Sequence, residues 1–500
     1  MRPAQLRAPV LACVLALLSA LLAVVSFARA PAAQHPPPDA RTAAQLPLQP
    51  PIQPPLAIAP GAPPGTPPAA APPSAAAPGQ PPGEADDSAA LPTPSSAAQQ
   101  LYSAARADLL QIRILLRNGR SQSTVGSGFL IGTGNLVLTN YHVVSQMALD
   151  PEVYMGEYVD TDGKAGPVEL IAVDVLHDLA VVRVDRAGTG FFTVPEHPVR
   201  LTQGQYLYSL GNPLDLGFAI SEGAYNGVVM RSFYEQLIFT GPINGGMSGG
   251  PSVTASGMVA GINVSRRRDG ESVSFLVPVK YAQDLLAQVA RQPHPPKNFN
   301  PLIAQQLLAH QREMIDRLLG EPLSIKSMGP YRVPVRESQQ LRCWGRSNFR
   351  AEAEYKADSV SCAMEVAIYV SDTQQTGHVS MTHQYLRSAN LHPLQFAALA
   401  SSQFRADRIG RIGPVRDTRL TRPACSEQFV HTATLPVRAV TCVRAYRKFA
   451  GLYNFTLLTA STDDAQASLQ SRLDLAGVSY ENGTRATRAF LSALGRRRGR

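Results

Sequence analysis

The chain is 500 residues long and carries a formal charge of +9, from 46 Lys and Arg against 37 Asp and Glu. The excess is uneven: residues 291–500 hold 29 basic against 16 acidic residues, a balance of +13, whereas residues 1–290 hold 17 against 21. The arginines are not interleaved with aromatic residues, which argues against nucleic acid as a partner, and the lack of any close Cys-x-x-Cys pair argues against structural zinc.

At the start, Arg2 and Arg7 precede a 19-residue apolar run over 10–28, followed by Ala28-Arg29-Ala30. Residues 1–30 therefore read as a targeting segment, either a signal peptide or a retained membrane anchor, since 19 apolar residues just suffice to cross a bilayer. Residues 31–98 hold 21 of the chain's 42 prolines and almost no aromatic side chains. They cannot bury a core and read as a disordered Pro/Ala-rich linker, about 200 Å long at full polyproline extension.

Composition then turns globular. Residues 97–110 have helical spacing, and short β-rich runs alternating with glycine turns follow, the rhythm of a pair of barrels. A closing helix is expected over 285–292, and Gln292-Pro293-His294-Pro295-Pro296 marks a boundary. Beyond it, 302–319 reads as an amphipathic helix, 360–370 and 439–458 as strands, and 464–473 and 484–494 as helices, giving a C-terminal α+β domain over 291–500. Four cysteines there read as two disulfides. Of three connectivities, Cys343–Cys362 with Cys425–Cys442 is favoured because each pair flanks a hairpin of similar length, a hint of internal duplication.

Three segments carry chemistry. Gly245-Gly246-Met247-Ser248-Gly249-Gly250-Pro251 places a serine in a glycine-built bend, Leu138-Thr139-Asn140-Tyr141-His142-Val143-Val144 offers an imidazole, and His177-Asp178-Leu179-Ala180-Val181-Val182 a carboxylate. A serine hydroxyl needs a base to become nucleophilic at neutral pH, and the base needs a carboxylate to fix its tautomer. Ser248, His142 and Asp178 fit those roles, with the backbone N–H groups of Gly246 and Ser248 as donors to a developing oxyanion. Taken singly, each segment has a plainer reading: a turn, a core histidine, a strand-capping acid. Asp174 competes as the acid, but Asp178 stands directly before an apolar strand; His177 reads as a solvent-facing neighbour.

The order His142, Asp178, Ser248, together with Gly126-Ser127-Gly128-Phe129-Leu130-Ile131 and Ser274-Phe275-Leu276-Val277-Pro278-Val279, resembles the HtrA/DegP branch of the trypsin-like serine proteases over about 99–290. The resemblance implies an all-β double six-stranded barrel over 99–290 and peptide-bond hydrolysis through an acyl-enzyme, without metal or organic cofactor. It also implies that the strand ending in Val264, Ser265 and Arg266 offers its edge to an extended polypeptide substrate. Met247 stands where digestive members carry an aspartate that pairs with a new N-terminus, so that activation route is not available. Pro242 lies six residues before the serine and no acid stands between them, which points to small or medium apolar P1 residues rather than Lys or Arg. No PDZ pattern is present.

Unfolded or damaged envelope proteins are the expected substrates and the periplasm the expected location, with tethering to the inner membrane or secretion as alternatives. Arg496, Arg497, Arg498 and Arg500 offer a basic tail to an anionic membrane surface or to the acidic N-terminal half. Two other classes of function stay open at this point: a catalytically silent binding or chaperone module on a protease fold, and a tethered envelope scaffold.

Overall fold

The computed structural model describes residues 95–497 apart from 198, 267–272, 349, 351, 366, 372–373 and 405–418, and the backbone alone of 265 and 266. The expected targeting segment and nearly all of the linker lie outside the described residues. Ser95 caps α1 (Ser96–Ala105), its hydroxyl accepting from Ala98 N at 3.1 Å.

Two closed antiparallel barrels of six strands follow, the trypsin-like double barrel. The first joins β1 (Leu109–Leu116), β2 (Gln122–Leu130), β3 (Leu136–Thr139), β4 (Tyr154–Asp160), β5 (Ala165–Asp174) and β6 (Leu179–Val184), with α2 (Tyr141–Leu149) inserted after β3. The second joins β7 (Tyr206–Gly211), β8 (Ala219–Val228), β9 (Leu237–Phe239), β10 (Pro251–Val253), β11 (Val259–Arg266) and β12 (Ser274–Pro278). Alternation supplies the pattern: β12 turns Leu276 into the second barrel's core and leaves Phe275 and Val277 on its outer face. Helix α3 (Val279–Arg291) closes the pair, its buried face of Val279, Ala282, Leu285 and Val289 packing between the barrels.

Helix α4 (Asn300–Leu319) leads into mixed α and β structure. A three-stranded sheet holds β13 (Ser324–Met328), β14 (Tyr331–Val335) and, last in the chain, β24 (Gly495–Arg496). A seven-stranded antiparallel sheet is built from β15 (Leu341–Ser347), β16 (Tyr355–Met364), β19 (His378–Ser388), β20 (Ala424–His431), β21 (Pro436–Ala445), β22 (Tyr453–Ser461) and β23 (Ala467–Val478), in the order β15-β16-β19-β23-β22-β21-β20. Between β16 and β19 a small hairpin pairs β17 (Ile368–Tyr369) with β18 (Gln375–Thr376). Helices α5 (Pro393–Gln403) and α6 (Tyr480–Ala493) complete the region. The helix expected over 464–473 is instead the central strand β23. Leu469, Leu473 and Leu475 alternate onto one buried face, and cross-strand packing overrides the helix-forming Gln470 and Arg472 between them. No helix among the described residues is long and apolar enough to cross a membrane.

The first barrel shares a core with α4 and with connections of the C-terminal half. Phe299 and the first half of α4 (Ile303, Ala304, Leu307) pack on the first barrel with Ile368, Val370, Tyr446, Phe449 and Leu452, while the second half of α4 (Met314, Ile315, Leu318) packs on the seven-stranded sheet. Each such side chain contributes roughly 1.5–3 kcal/mol when fully buried, so this junction is far stronger than a loose docking contact. The two connections that grip the barrel, β16 to β19 and β21 to β22, leave the same end of the sheet and are joined by a buried bond of 2.6 Å between Thr376 Oγ1 and the Tyr446 hydroxyl.

Disulfides Cys343–Cys362 and Cys425–Cys442 each join directly opposed residues of an edge strand and its neighbour, β15 to β16 and β20 to β21. Both open edges of the sheet are thereby stapled. With partners 19 and 17 positions apart in sequence, loss of either bridge by paired Cys→Ser substitution is expected to cost about 3 kcal/mol. A lowered urea midpoint with an unchanged far-ultraviolet spectrum checks this.

Candidate functional site

His142 sits in the first turn of α2, and Asp178 sits directly before β6. The two side chains meet, His142 Nδ1 lying 2.7 Å from Asp178 Oδ2, while the His142 backbone N–H donates to Asp178 Oδ1 at 2.8 Å. The start of α2 is bound to the same residue twice more: Tyr141 N and Asn140 Nδ2 donate to the Asp178 carbonyl at 3.1 and 2.8 Å. Asp178 itself has φ +56°, a left-handed conformation that costs a non-glycine residue energy and persists where its surroundings over-determine it.

Ser248 lies in the loop between β9 and β10. That loop is pressed against the histidine-bearing segment: Ser127 N donates to the Ser248 carbonyl at 2.8 Å, and a Cβ on Gly249 would fall 2.2 Å from Ser127 O and 2.9 Å from Asn140 N. Only glycine permits this approach, and its φ of +88° adds to the requirement. The Ser248 hydroxyl donates to the Val264 carbonyl at 3.2 Å.

The residues before the serine form a turn closed by Met247 N to Asn244 O at 3.0 Å, with Gly246 at φ +92° in the third position, as a type II turn demands. Leu214 N donates to the Gly245 carbonyl at 2.7 Å. Because carbonyl and N–H point opposite ways across a trans peptide, this bond fixes the Gly246 N–H facing away from Leu214. Among the described residues neither the Gly246 nor the Ser248 N–H has an acceptor. Met247 is buried in the core of the second barrel, its sulfur 3.5 Å from Asn244 N. An aspartate there would bury a charge; methionine anchors the turn by packing instead.

At Gly246 an added Cβ would sit 2.3 Å from the Asn212 carbonyl, so Gly246→Ala must move the turn. The expected result is a hundred- to thousand-fold lower kcat with KM changed by only a few-fold, read by steady-state peptide hydrolysis.

The edge of β11 is open where a substrate would pair. Its ladder with β10 runs to Ile262, and beyond that point Val264 to Arg266 have no strand partner on that side among the described residues. A bulge between Asn263 and Ser265 takes Val264 out of register with β12. Asp174 and His177 form a second pair, Oδ2 to Nδ1 at 2.6 Å, apart from His142. His177 is not solvent-facing as expected: it stacks on Tyr281 at 3.6 Å and meets Tyr234 edge-on at 4.7 Å. In the tail, Arg496 pairs with Asp463 at 2.5 Å and Arg497 N bonds Pro330 O at 2.8 Å, while residues 498–500 lie outside the described residues.

Sequence reasoning missed the contribution of the C-terminal half. Gln306 of α4 clamps the chain ahead of Asp178, accepting from Val175 N at 2.8 Å and donating to Val173 O at 3.0 Å. The Tyr141 hydroxyl, its pKa raised by burial, donates to the Val370 carbonyl at 2.8 Å. The Tyr369 ring lies 5.1 Å from the His142 ring. These partners are separated by more than a hundred residues, and no local pattern announces them.

Residues 126–262 match the family model described as the trypsin-like peptidase domain. A Synechocystis sp. protein carrying the serine-protease name HhoB is 32% identical over 175 residues, 33% of this chain and 40% of its own length. A Halomonas elongata protein named as a DegP-like periplasmic serine endoprotease is 31% identical over 179 residues, 34% of this chain and 36% of its own length. Among solved structures, the serine endoprotease from Yersinia pestis aligns with a TM-score of 0.33 at 23% identity, over 40% of this chain and 69% of that one. The chain thus spans less than half the length of these two curated relatives.

Proposed function

Because this chain carries a trypsin-like peptidase domain of the HtrA/DegP kind, we propose that it is an exported serine endopeptidase acting on unfolded polypeptide. The observation that carries this reading is the 2.7 Å pairing of His142 Nδ1 with Asp178 Oδ2, beside a serine loop wedged against Asn140. With the proton held on Nδ1, Nε2 is left to accept the Ser248 proton as the oxygen attacks the scissile carbonyl, and to return it to the leaving amine. The N–H groups of Gly246 and Ser248 receive the oxyanion.

Substrate binding prepares the attack. An extended chain paired along β11 donates a backbone N–H to the Val264 carbonyl, displacing the Ser248 hydroxyl from that acceptor and freeing it for the imidazole. Small or medium apolar P1 side chains are expected, since no acid stands between Pro242 and Ser248 to bind Lys or Arg. Two disulfides and a relative named periplasmic support export to an oxidising compartment. Fluorophosphonate labelling of the full chain, abolished in Ser248→Ala, tests the reading; an unlabelled parent favours the silent binding module.

A further inference from the structure

The small hairpin that the C-terminal sheet lays on the first barrel does more than brace it. A concavity of about 360 Å³ opens beside the His142–Asp178 pair, walled by Asp178, by Val264, Phe275 and Tyr234 of the second barrel, and by His310 and Tyr369 from the C-terminal half. Ligand pockets start at roughly 300 Å³, so this one has room for a single large side chain. We propose that it is a specificity pocket for a large apolar or aromatic residue of the substrate, one of the three preceding P1, and that Tyr369 is its specificity-determining residue. The proposal rests on the peptidase reading.

Position supports the assignment. Val264 belongs both to the pocket wall and to the β11 edge, along which the acyl part of the substrate runs. A substrate side chain leaving the bound strand beside Val264 enters the concavity, whose wall Tyr369, 5.1 Å from the His142 ring, also lines. The wall chemistry points the same way. Glu235 is paired with Lys280 and Glu365 with Arg342 at 2.9 Å, and Asp178 is engaged by His142. Burial lowers the His310 pKa to about 4, leaving that ring neutral at physiological pH, and its Nδ1 is held by the Tyr234 hydroxyl at 2.9 Å. With its charges committed, the wall presents Val264, Phe275 and the faces of Tyr234 and Tyr369, surfaces that favour apolar and aromatic groups.

The test is cleavage-site profiling of the full chain on a denatured-proteome peptide library, with fluorophosphonate labelling run in parallel. The parent is expected to enrich Leu, Phe, Tyr or Trp at one position among P2, P3 and P4. In Tyr369→Ala that enrichment, read relative to the P1 enrichment of the same variant, falls about tenfold, the scale set by side-chain discrimination in apolar pockets. Phe275→Trp fills the concavity from the opposite wall and is expected to shift the same position toward Ala and Ser, which keeps the proposal testable if Tyr369→Ala does not fold. A labelled, active parent with flat P2 to P4 preference overturns the pocket alone. Equal acceleration of all substrates in Tyr369→Ala would show an occluding cover and overturn it too. A parent that neither labels nor cleaves overturns the pocket together with the peptidase reading.

Discussion

Asp178→Asn is expected to lower kcat/KM by about ten-thousand-fold, against about a million-fold for Ser248→Ala. The carboxylate accepts two donors, the His142 backbone N–H on Oδ1 and the ring Nδ1–H on Oδ2. An amide has one oxygen. The backbone N–H cannot turn away, so the amide oxygen faces it and the NH2 faces Nδ1, which must then accept. The ring proton moves to Nε2, the atom that has to take the proton from Ser248. Asparagine tolerates the φ of +56° better than most side chains, so the fold is expected to persist and the loss to lie in kcat. Asp174→Asn is the control: its carboxylate serves His177, and a rate within a few-fold of the parent is expected. Equal losses from the two substitutions would show that the acid had been misassigned.

What could be read from the chain was whatever is encoded locally. The spacing of His142, Asp178 and Ser248 is local at each point, and the alternating strands between them carry the barrel pattern. The cysteines could be paired because each hairpin is one strand, one turn and one strand, so that Cys343 and Cys362 stand opposite without reference to the rest of the fold. Residues 467–475 misled because Ala, Gln, Leu and Arg favour a helix, while the alternation that makes β23 central has meaning only once β19 and β22 flank it. The roof over His142 was illegible for a stronger reason. Tyr369 lies in a two-residue strand on a connection that looks like any loop, and what gives it a role is the seating of Ile368 and Val370 in the first barrel's core. Read alone, residues 291–500 suggested a separate basic domain; in the fold, they supply part of the packing around Asp178.

Acidification is expected to remove about 6 kcal/mol of stability between pH 6.5 and pH 4, about 3 kcal/mol from each of two buried histidines. His310 is wedged between Phe233 and the Gly377 carbonyl, and His383 between the Ser471 hydroxyl at 2.8 Å and the Pro334 carbonyl at 2.6 Å with Phe490 stacked on its face. Burial holds both rings neutral and lowers each pKa from 6.5 to about 4. The unfolded chain takes up these protons near pH 6.5 while the native state refuses them until about pH 4. Within that window the unfolded state binds more protons, so stability falls as pH falls, and the dependence levels off below it. His378, shifted the same way by burial, adds to the slope. Urea unfolding at a series of pH values checks the sum, and His383→Gln isolates one contribution, since glutamine keeps a donor and an acceptor but does not titrate. The variant is expected to lose about one proton's worth of slope, about 1.4 kcal/mol per pH unit; an unchanged slope would place the titrating group elsewhere.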